Sequence, residues 1–422
     1  MTDSQTATFG QLAELVTAAP TSYHAAAVVA EQFTTAGFTR VHDQDAWPAT
    51  PGGYVIVRDG AVIAWRIPAD VAAETPVNVV AAHTDSPGFR LKPEPDTERA
   101  GWRSVNAEVY GGPLLNSWLD RDLRIAGRLV LADGTTRLAS TEAIARIPQL
   151  AVHLDREVNE GLKLNRQQHT RAVVGLADQP GVVELLAAAA EVDADTVVAF
   201  DGFFADGQAP ARIGGGGELI ASGRLDNLVS VHAGTQALLA TEPSGIIPML
   251  AAFDHEEVGS DTRSGAGGPF LEDVITGIRE SLDATPTEAR RAAAASWVVS
   301  SDVGHAVHPN YPDKHDDDVR PIAGDGTIIK TNANQRYATD GVGEALWRRL
   351  AATAGTPVQT FVSRNTIPCG STVGPIVATR LGMRTVDVGI PMLSMHSARE
   401  VAALVDIAAL EAVLREFLRA AH

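Results

Sequence analysis

The sequence predicts an α/β protein: a doubly wound, mostly parallel sheet with helices on both faces, interrupted by an inserted β-rich domain. Three observations predict it. The runs at 77–82 and 246–253 are short and continuously apolar, the pattern of strands buried on both faces of a parallel sheet. Beyond Gly223 such runs alternate with helical patterns, the rhythm of a doubly wound sheet. Between Pro93 and Ala221 the texture changes to short alternating segments joined by Gly, Pro and Asp-Gly turns. The chain therefore divides into a split α/β domain, residues 1–92 and 222–422, and an insertion, 93–221.

Taken in order, Phe9, Leu12, Leu15 and Val16 recur at helical spacing, and a second helical pattern covers 22–36 until Gly37 stops it. Residues 54–65 read as a hairpin turning at Asp59-Gly60. The strand at 77–82 ends at His83. Within the insertion, strands are expected at 105–110, 124–132 and 136–140 and an Ala-rich helix at 182–190, while the glycine run 214–217 reads as a flexible loop. No GK[S/T] helix follows it, so it is not a phosphate cradle. Next come a helix at 226–239, strands at 246–253, 297–300, 359–362 and 385–388, and helices at 340–354 and 401–420.

Composition narrows the partners. With 34 Lys+Arg against 52 Asp+Glu the formal charge is −18, which argues against nucleic acid or an anionic membrane, since both call for a basic face. The first eight residues lack the basic and apolar regions of a signal peptide, and no run of 18 apolar residues occurs, so no membrane span is expected. Cys369 is the only cysteine, which excludes an intrachain disulfide and a cysteine-based zinc cluster and favours a cytoplasmic setting. It reads as a small buried or pocket-adjacent residue.

The chemistry lies at the strand ends. After 77–82 comes His83-Thr84-Asp85, after 246–253 comes Asp254-His255-Glu256-Glu257, after 297–300 comes Ser301-Asp302, and after 385–388 the chain runs on to His396. Ligands in open α/β sheets bind beyond the carboxyl ends of the strands, so four strands deliver imidazoles and carboxylates to one edge. Histidines and carboxylates without thiolates suit Zn²⁺, Mn²⁺ or Co²⁺, and several carboxylates together suit a two-metal site. In His83-X-Asp85 the carboxylate is spaced to orient the imidazole. Of the adjacent Glu256 and Glu257, one can bind metal while the other handles the proton of an attacking water. Each residue alone has a plainer account. His83 fits a loop or satisfied interior histidine, Asp226 a helix N-cap, Glu256-Glu257 a solvated turn, Asp302 a cap, and His305 and His308 surface positions. It is their common edge that points to a metal site.

The motifs also carry a family resemblance. Ala82-His-Thr-Asp-Ser-Pro87, Ser222-Gly-Arg-Leu-Asp-Asn-Leu228, Asp254-His-Glu-Glu-Val-Gly-Ser260, Ser301-Asp-Val-Gly-His-Ala-Val-His-Pro-Asn-Tyr311, Asn334-Gln-Arg-Tyr-Ala338, Cys369-Gly-Ser-Thr372 and Met395-His-Ser-Ala-Arg-Glu400 run in order along nearly the whole chain. The sequence thereby resembles the bacterial M18 family of aminopeptidases, the aspartyl aminopeptidases. The resemblance implies a di-metal exopeptidase-like catalytic domain whose insertion is a lid or dimerisation domain. It implies two divalent ions per subunit, Zn²⁺ first with Mn²⁺ or Co²⁺ as alternatives. Asp226 would bridge them, His83 and Asp302 would complete one ligand set, and Glu257 and His396 the other. Asp85 would orient His83, Glu256 would be the general base for a metal-bridged water, and His153 would reach a neighbouring subunit's site in a dodecamer built from dimers. Lys330 matches the family's substrate-pocket lysine and would pair with an acidic first side chain; by its own sequence context it reads as a surface lysine on a strand. The implied activity is removal of N-terminal Asp or Glu from peptides. Two alternatives are another di-metal hydrolase of this fold (a carboxypeptidase, a deacetylase or a neutral aminopeptidase) and a silent, metal-stabilised assembly or peptide-binding protein. The spare carboxylate of the Glu256-Glu257 pair speaks against the second.

Overall fold

A computed structural model of the chain describes residues 3–422. Two helices, Asp3–Ala18 and Ser22–Thr35, are separated at Pro20-Thr21, where the Thr21 hydroxyl oxygen accepts the His24 N–H and starts the second helix. That helix buries Ala25, Ala26, Val29, Ala30 and Phe33, a stripe at helical spacing.

The main sheet has nine strands, labelled here in chain order: β1 (Thr39–Arg40), β2 (Gly52–Arg58), β3 (Ala61–Ile67), β4 (Val77–His83), β5 (Ile247–Phe253), β6 (Trp297–Ser301), β7 (Thr327–Thr331), β8 (Val358–Val362) and β9 (Arg384–Gly389). Their spatial order is β1-β2-β3-β5-β4-β6-β9-β7-β8. The central four, β5-β4-β6-β9, are mutually parallel, whereas β2/β3, β3/β5 and β7/β9 pair antiparallel. Every residue of β4, β5 and β6 is buried, which is why these strands are apolar without alternation. One face packs against the first two helices together with Leu225–Leu239, Gly341–Ala354 and Leu404–Phe417. The other packs against Phe270–Ser281 and Val373–Leu381. The hairpin β2/β3 turns at Asp59, whose φ of 56° is left-handed.

Residues 88–206 build a second, wholly antiparallel sheet of six strands with its own core around Phe89, Trp118, Ile125 and Leu186. Arg128 of this sheet ties it to the hairpin turn through Asp59, at 2.8 Å. The glycine run 214–217 joins Ala211–Ile213 to Leu219–Ser222, part of a third sheet of five strands.

Two of the expected elements differ from the sequence reading, and the helices Phe270–Ser281, Pro286–Ala295 and Val373–Leu381 were not expected. The helix expected at 401–420 begins only at Leu404, because Glu400–Ala403 is taken up as a strand between Leu219–Ser222 and Pro391–Leu393. The helix Leu225–Leu239 has a non-helical start: Asp226 (φ −79°, ψ 104°) does not cap it, and the flanking position is Arg224 in the left-handed region. Among the described residues no helix is long and apolar enough to cross a membrane.

Candidate metal centre

The parallel centre of the sheet brings the strand-end residues together. His83 is the last residue of β4, Asp302 follows β6, and Glu256 and Glu257 open a short 3-10 turn after β5, entered through the left-handed His255 (φ 64°). His396 arrives beyond β9 through the strand Pro391–Leu393 and a turn in which Ser394 and His396 both have positive φ.

The distances show a shared carboxylate. His83 Nε2 lies 3.3 Å from Asp226 Oδ1 and 3.6 Å from Asp302 Oδ1. His396 Nε2 lies 3.4 Å from Asp226 Oδ2 and 3.5 Å from Glu257 Oε1. Asp226 thus faces one imidazole with each oxygen. His83, Asp226 and Asp302 form one group with donor atoms within 4.8 Å of one another, Asp226, Glu257 and His396 a second, and His83, Glu256 and Glu257 a third.

Both imidazoles are oriented from behind. His83 Nδ1 lies 3.0 Å from the Asp85 carbonyl oxygen and 3.4 Å from Asp85 Oδ1, and His396 Nδ1 lies 3.0 Å from the Gly112 carbonyl oxygen. A carbonyl only accepts, so Nδ1 carries a proton in each ring, which leaves Nε2 as the atom that faces the carboxylates and would turn to an ion. Asp85 in turn accepts the Glu256 N–H at Oδ1 (3.0 Å), and at Oδ2 the Glu257 N–H (3.1 Å) and the Tyr110 hydroxyl (2.8 Å).

These residues fit divalent cations. Asp226 Oδ1 is buried and accepts no hydrogen bond. Ligand atoms on a tetrahedral ion with bonds of about 2.0–2.1 Å stand about 3.3–3.4 Å apart, close to the separations at Asp226. The charges agree. Burial opposes a proton on His83, yet Asp226, Asp302 and Asp85 hold its pKa well above the imidazole range. His396 is raised to about 10, against burial, by Asp226 and Glu257. Burial, then Asp226, pushes Glu257 well up; burial lifts Glu256 to about 7, with Asp302, Asp85 and Asp226 adding to it and His83 opposing. By itself the cluster therefore holds protons that a dication would replace.

Lys330, in β7, is not the surface lysine its sequence context indicates. It is 2 % exposed, its Nζ lies 3.3 Å from Asp302 Oδ2, and it sits 5.5 Å from the centroid of the Tyr337 ring. It lines a cavity of about 280 Å³ together with His83, Asp226, Glu256, Glu257 and His396. His305 lines this cavity too. Cys369 is half-buried against Tyr337 and Phe361. His153 is not in the cluster: it is exposed on 148–171, a segment without helix or strand.

Sequence reasoning gave no role to Glu400, Tyr110 or Gly112. Glu400 is buried and accepts the Asp226 N–H (3.0 Å) at Oε2 and the His396 N–H (2.8 Å) at Oε1, with its own carboxyl raised to about 8 by burial and then by Asp226. A glutamate four residues past a candidate ligand was the available signal.

Comparison with known proteins identifies the family. The family described as "Aminopeptidase I zinc metalloprotease (M18)" matches residues 15–418. The protein named "Probable M18 family aminopeptidase 2" of Streptomyces coelicolor is 48% identical over 417 residues, 97% of this chain and 96% of the relative. Among solved structures, a chain of the Ape4 and Nbr1 complex superposes with a TM-score of 0.95 at 33% identity, covering 98% of this chain and 86% of that one. A chain of the S. cerevisiae mApe1 dodecamer gives a TM-score of 0.85 at 27% identity, over 97% of this chain and 95% of that one.

Proposed function

The chain belongs to the M18 family and is a metal-dependent aminopeptidase, a hydrolase, and on that premise we propose that it releases acidic residues, Asp or Glu, from the N-termini of peptides. The observation that carries the specificity is Lys330. An ammonium has three donors, and among the described residues a single hydrogen bond engages it, to Asp302. The remaining donors face a cavity that also holds the carboxylate cluster, so a substrate carboxylate entering there meets a buried cation.

In this reading His83, Asp226 and Asp302 hold one ion and Asp226, Glu257 and His396 a second, with Zn²⁺ preferred and Mn²⁺ or Co²⁺ able to use the same donors. When bound, such ions polarise the scissile carbonyl and lower the pKa of water. Glu256 takes the proton of the attacking water and passes it to the leaving amine; a carboxyl near 7 is suited to both transfers. Asp85 holds the His83 ring and, through two backbone N–H groups, the Glu256-Glu257 turn. His153 of a neighbouring subunit donates to the developing oxyanion.

That last role requires a homo-oligomer, which we read as a dodecamer built from dimers, with 93–221 as lid and dimerisation domain. Support comes from the exposed Leu150, Val152 and Leu154 around His153 and from the dodecameric mApe1 neighbour. The lone Cys369 supports a cytoplasmic setting. The test is kcat/KM on Asp-, Glu-, Leu- and Lys-anilides with Zn²⁺, Mn²⁺ or Co²⁺ added to apoprotein. Faster cleavage of Asp and Glu is expected; faster cleavage of Leu than Asp overturns the specificity.

A further inference from the structure

We propose that segment 110–117, at the end of the strand Trp102–Tyr110 of the six-stranded sheet, is a positioning element of the metal centre, with Tyr110 orienting Asp85 and the Gly112 carbonyl orienting His396. The inference rests on the metal-site reading above and extends it to residues outside the ligand sets.

Four contacts carry it. The Tyr110 hydroxyl donates to Asp85 Oδ2 at 2.8 Å, beside the oxygen's other donor, the Glu257 N–H. The Gly112 carbonyl accepts from His396 Nδ1 at 3.0 Å. The Leu114 N–H donates to the His396 carbonyl at 2.9 Å, and the Ala398 N–H donates to the Ser117 hydroxyl oxygen at 2.9 Å. One short stretch thereby holds the Asp85 side of the cluster and three points of the His396 loop.

At Gly111 the backbone conformation and the close approach both favour glycine. Gly111 has φ +66°, and a Cβ there would lie 3.2 Å from Glu257 Cβ and 3.3 Å from its carbonyl oxygen. A Cβ on Gly112 would lie 3.5 Å from His396 Nδ1. The backbone of the insertion thus packs directly on Glu257 and His396. Tyr110 is itself fixed, buried and edge-on to Phe203 of the same sheet at 5.5 Å between ring centroids. Outer contacts of this kind set ring orientation and donor basicity and typically change metal affinity by about 10- to 100-fold. The insertion is on this account part of the catalytic centre within its own subunit, in addition to any lid or dimer contact.

The experiment is a Co²⁺ titration of apoprotein, followed by visible absorption and calorimetry, for wild type, Tyr110→Phe, Ser117→Ala, Asp85→Asn and Tyr110→Phe/Asp85→Asn, with far-UV circular dichroism of each apoprotein. Tyr110→Phe removes only the hydroxyl, and Asp85 keeps two backbone donors, so about a tenfold rise in one Co²⁺ dissociation constant is expected, with an altered d–d spectrum and an unchanged apoprotein fold. Ser117→Ala weakens the ion on the His396 side by several-fold. In the Asp85→Asn background the effect of Tyr110→Phe shrinks toward zero, because it acts through Asp85. Both Co²⁺ constants within twofold of wild type in Tyr110→Phe and in Ser117→Ala overturn the inference, as does full additivity of Tyr110→Phe with Asp85→Asn. Wild type that binds two ions while the variants match it defeats this inference alone; wild type that binds no ion defeats the metal-site reading with it.

Discussion

Replacing Lys330 by methionine removes the cavity's ammonium while keeping an unbranched chain of similar length. In the structure that ammonium is buried, 3.3 Å from Asp302 Oδ2, with further donors free to meet a substrate carboxylate. A hydrogen bond to a charged group contributes about 1.5–3 kcal/mol, and a carboxylate left unpaired in a desolvated pocket loses at least that. At about 1.4 kcal/mol per tenfold, kcat/KM for an Asp-anilide should fall about 10- to 150-fold. A Leu-anilide makes no such contact and should change by less than about threefold, so the Asp:Leu ratio inverts or flattens. The substitution also takes away a partner of Asp302, so metal content is measured on the same sample and activities are compared at saturating metal. Equal losses on Asp and Leu with full metal content would mean that Lys330 serves the metal site rather than the substrate. An unchanged Asp rate refutes the assignment outright.

Other expectations follow from the same geometry. Glu256→Gln should keep its metal content and lose about 10²- to 10⁴-fold in kcat, and full activity would displace Glu256 as the base. His153→Ala should leave monomer folding and metal content unchanged but lose activity, and co-assembly with equal Glu256→Gln subunits should restore about a quarter of wild-type activity, since random pairing puts an intact Glu256 beside a neighbour's intact His153 in that share of sites. No recovery would argue for a site complete within one subunit. In the apoprotein Glu256, Glu400 and His396 bind protons more tightly folded than unfolded, with pKa values raised from 4.5 to about 7, from 4.5 to about 8 and from 6.5 to about 10. Unfolding then releases protons, so apoprotein Tm should fall as pH rises from about 5 to about 9. Zn²⁺ needs the deprotonated ligands and should reverse that trend; a flat apoprotein profile would contradict these shifts.

Much of the centre was legible because its residues sit where strands end. His83, Glu256, Glu257 and Asp302 each lie at or within four residues of the carboxyl end of an apolar strand, and the topology of a parallel sheet gathers such positions. Asp226 was legible only as part of a motif, since by itself it looked like a helix cap. Asp85 was legible as the group that orients His83, but the orienting contacts that span long stretches of chain were not. Glu400 meets Asp226 across 174 positions and Gly112 meets His396 across 284, and no local period connects them. The helix Pro286–Ala295 was not anticipated: Thr285, Pro286 and Glu288 form a capping box at its start, but its weakly apolar Ala-rich sequence lacks the stripe that would have marked it.

The sequence by itself determined the α/β alternation, the change of texture near Pro93 and the ordered motifs, because burial and backbone preference are written locally, residue by residue. Only the tertiary structure decided that Asp226 faces two imidazoles, that Lys330 is buried beside Asp302, and that the backbone at Gly111 and Gly112 lies against Glu257 and His396. Those are distances between segments far apart in the chain. Chain closure and packing against the shared core set them, and a pattern along one strand or helix carries no measure of how closely another approaches.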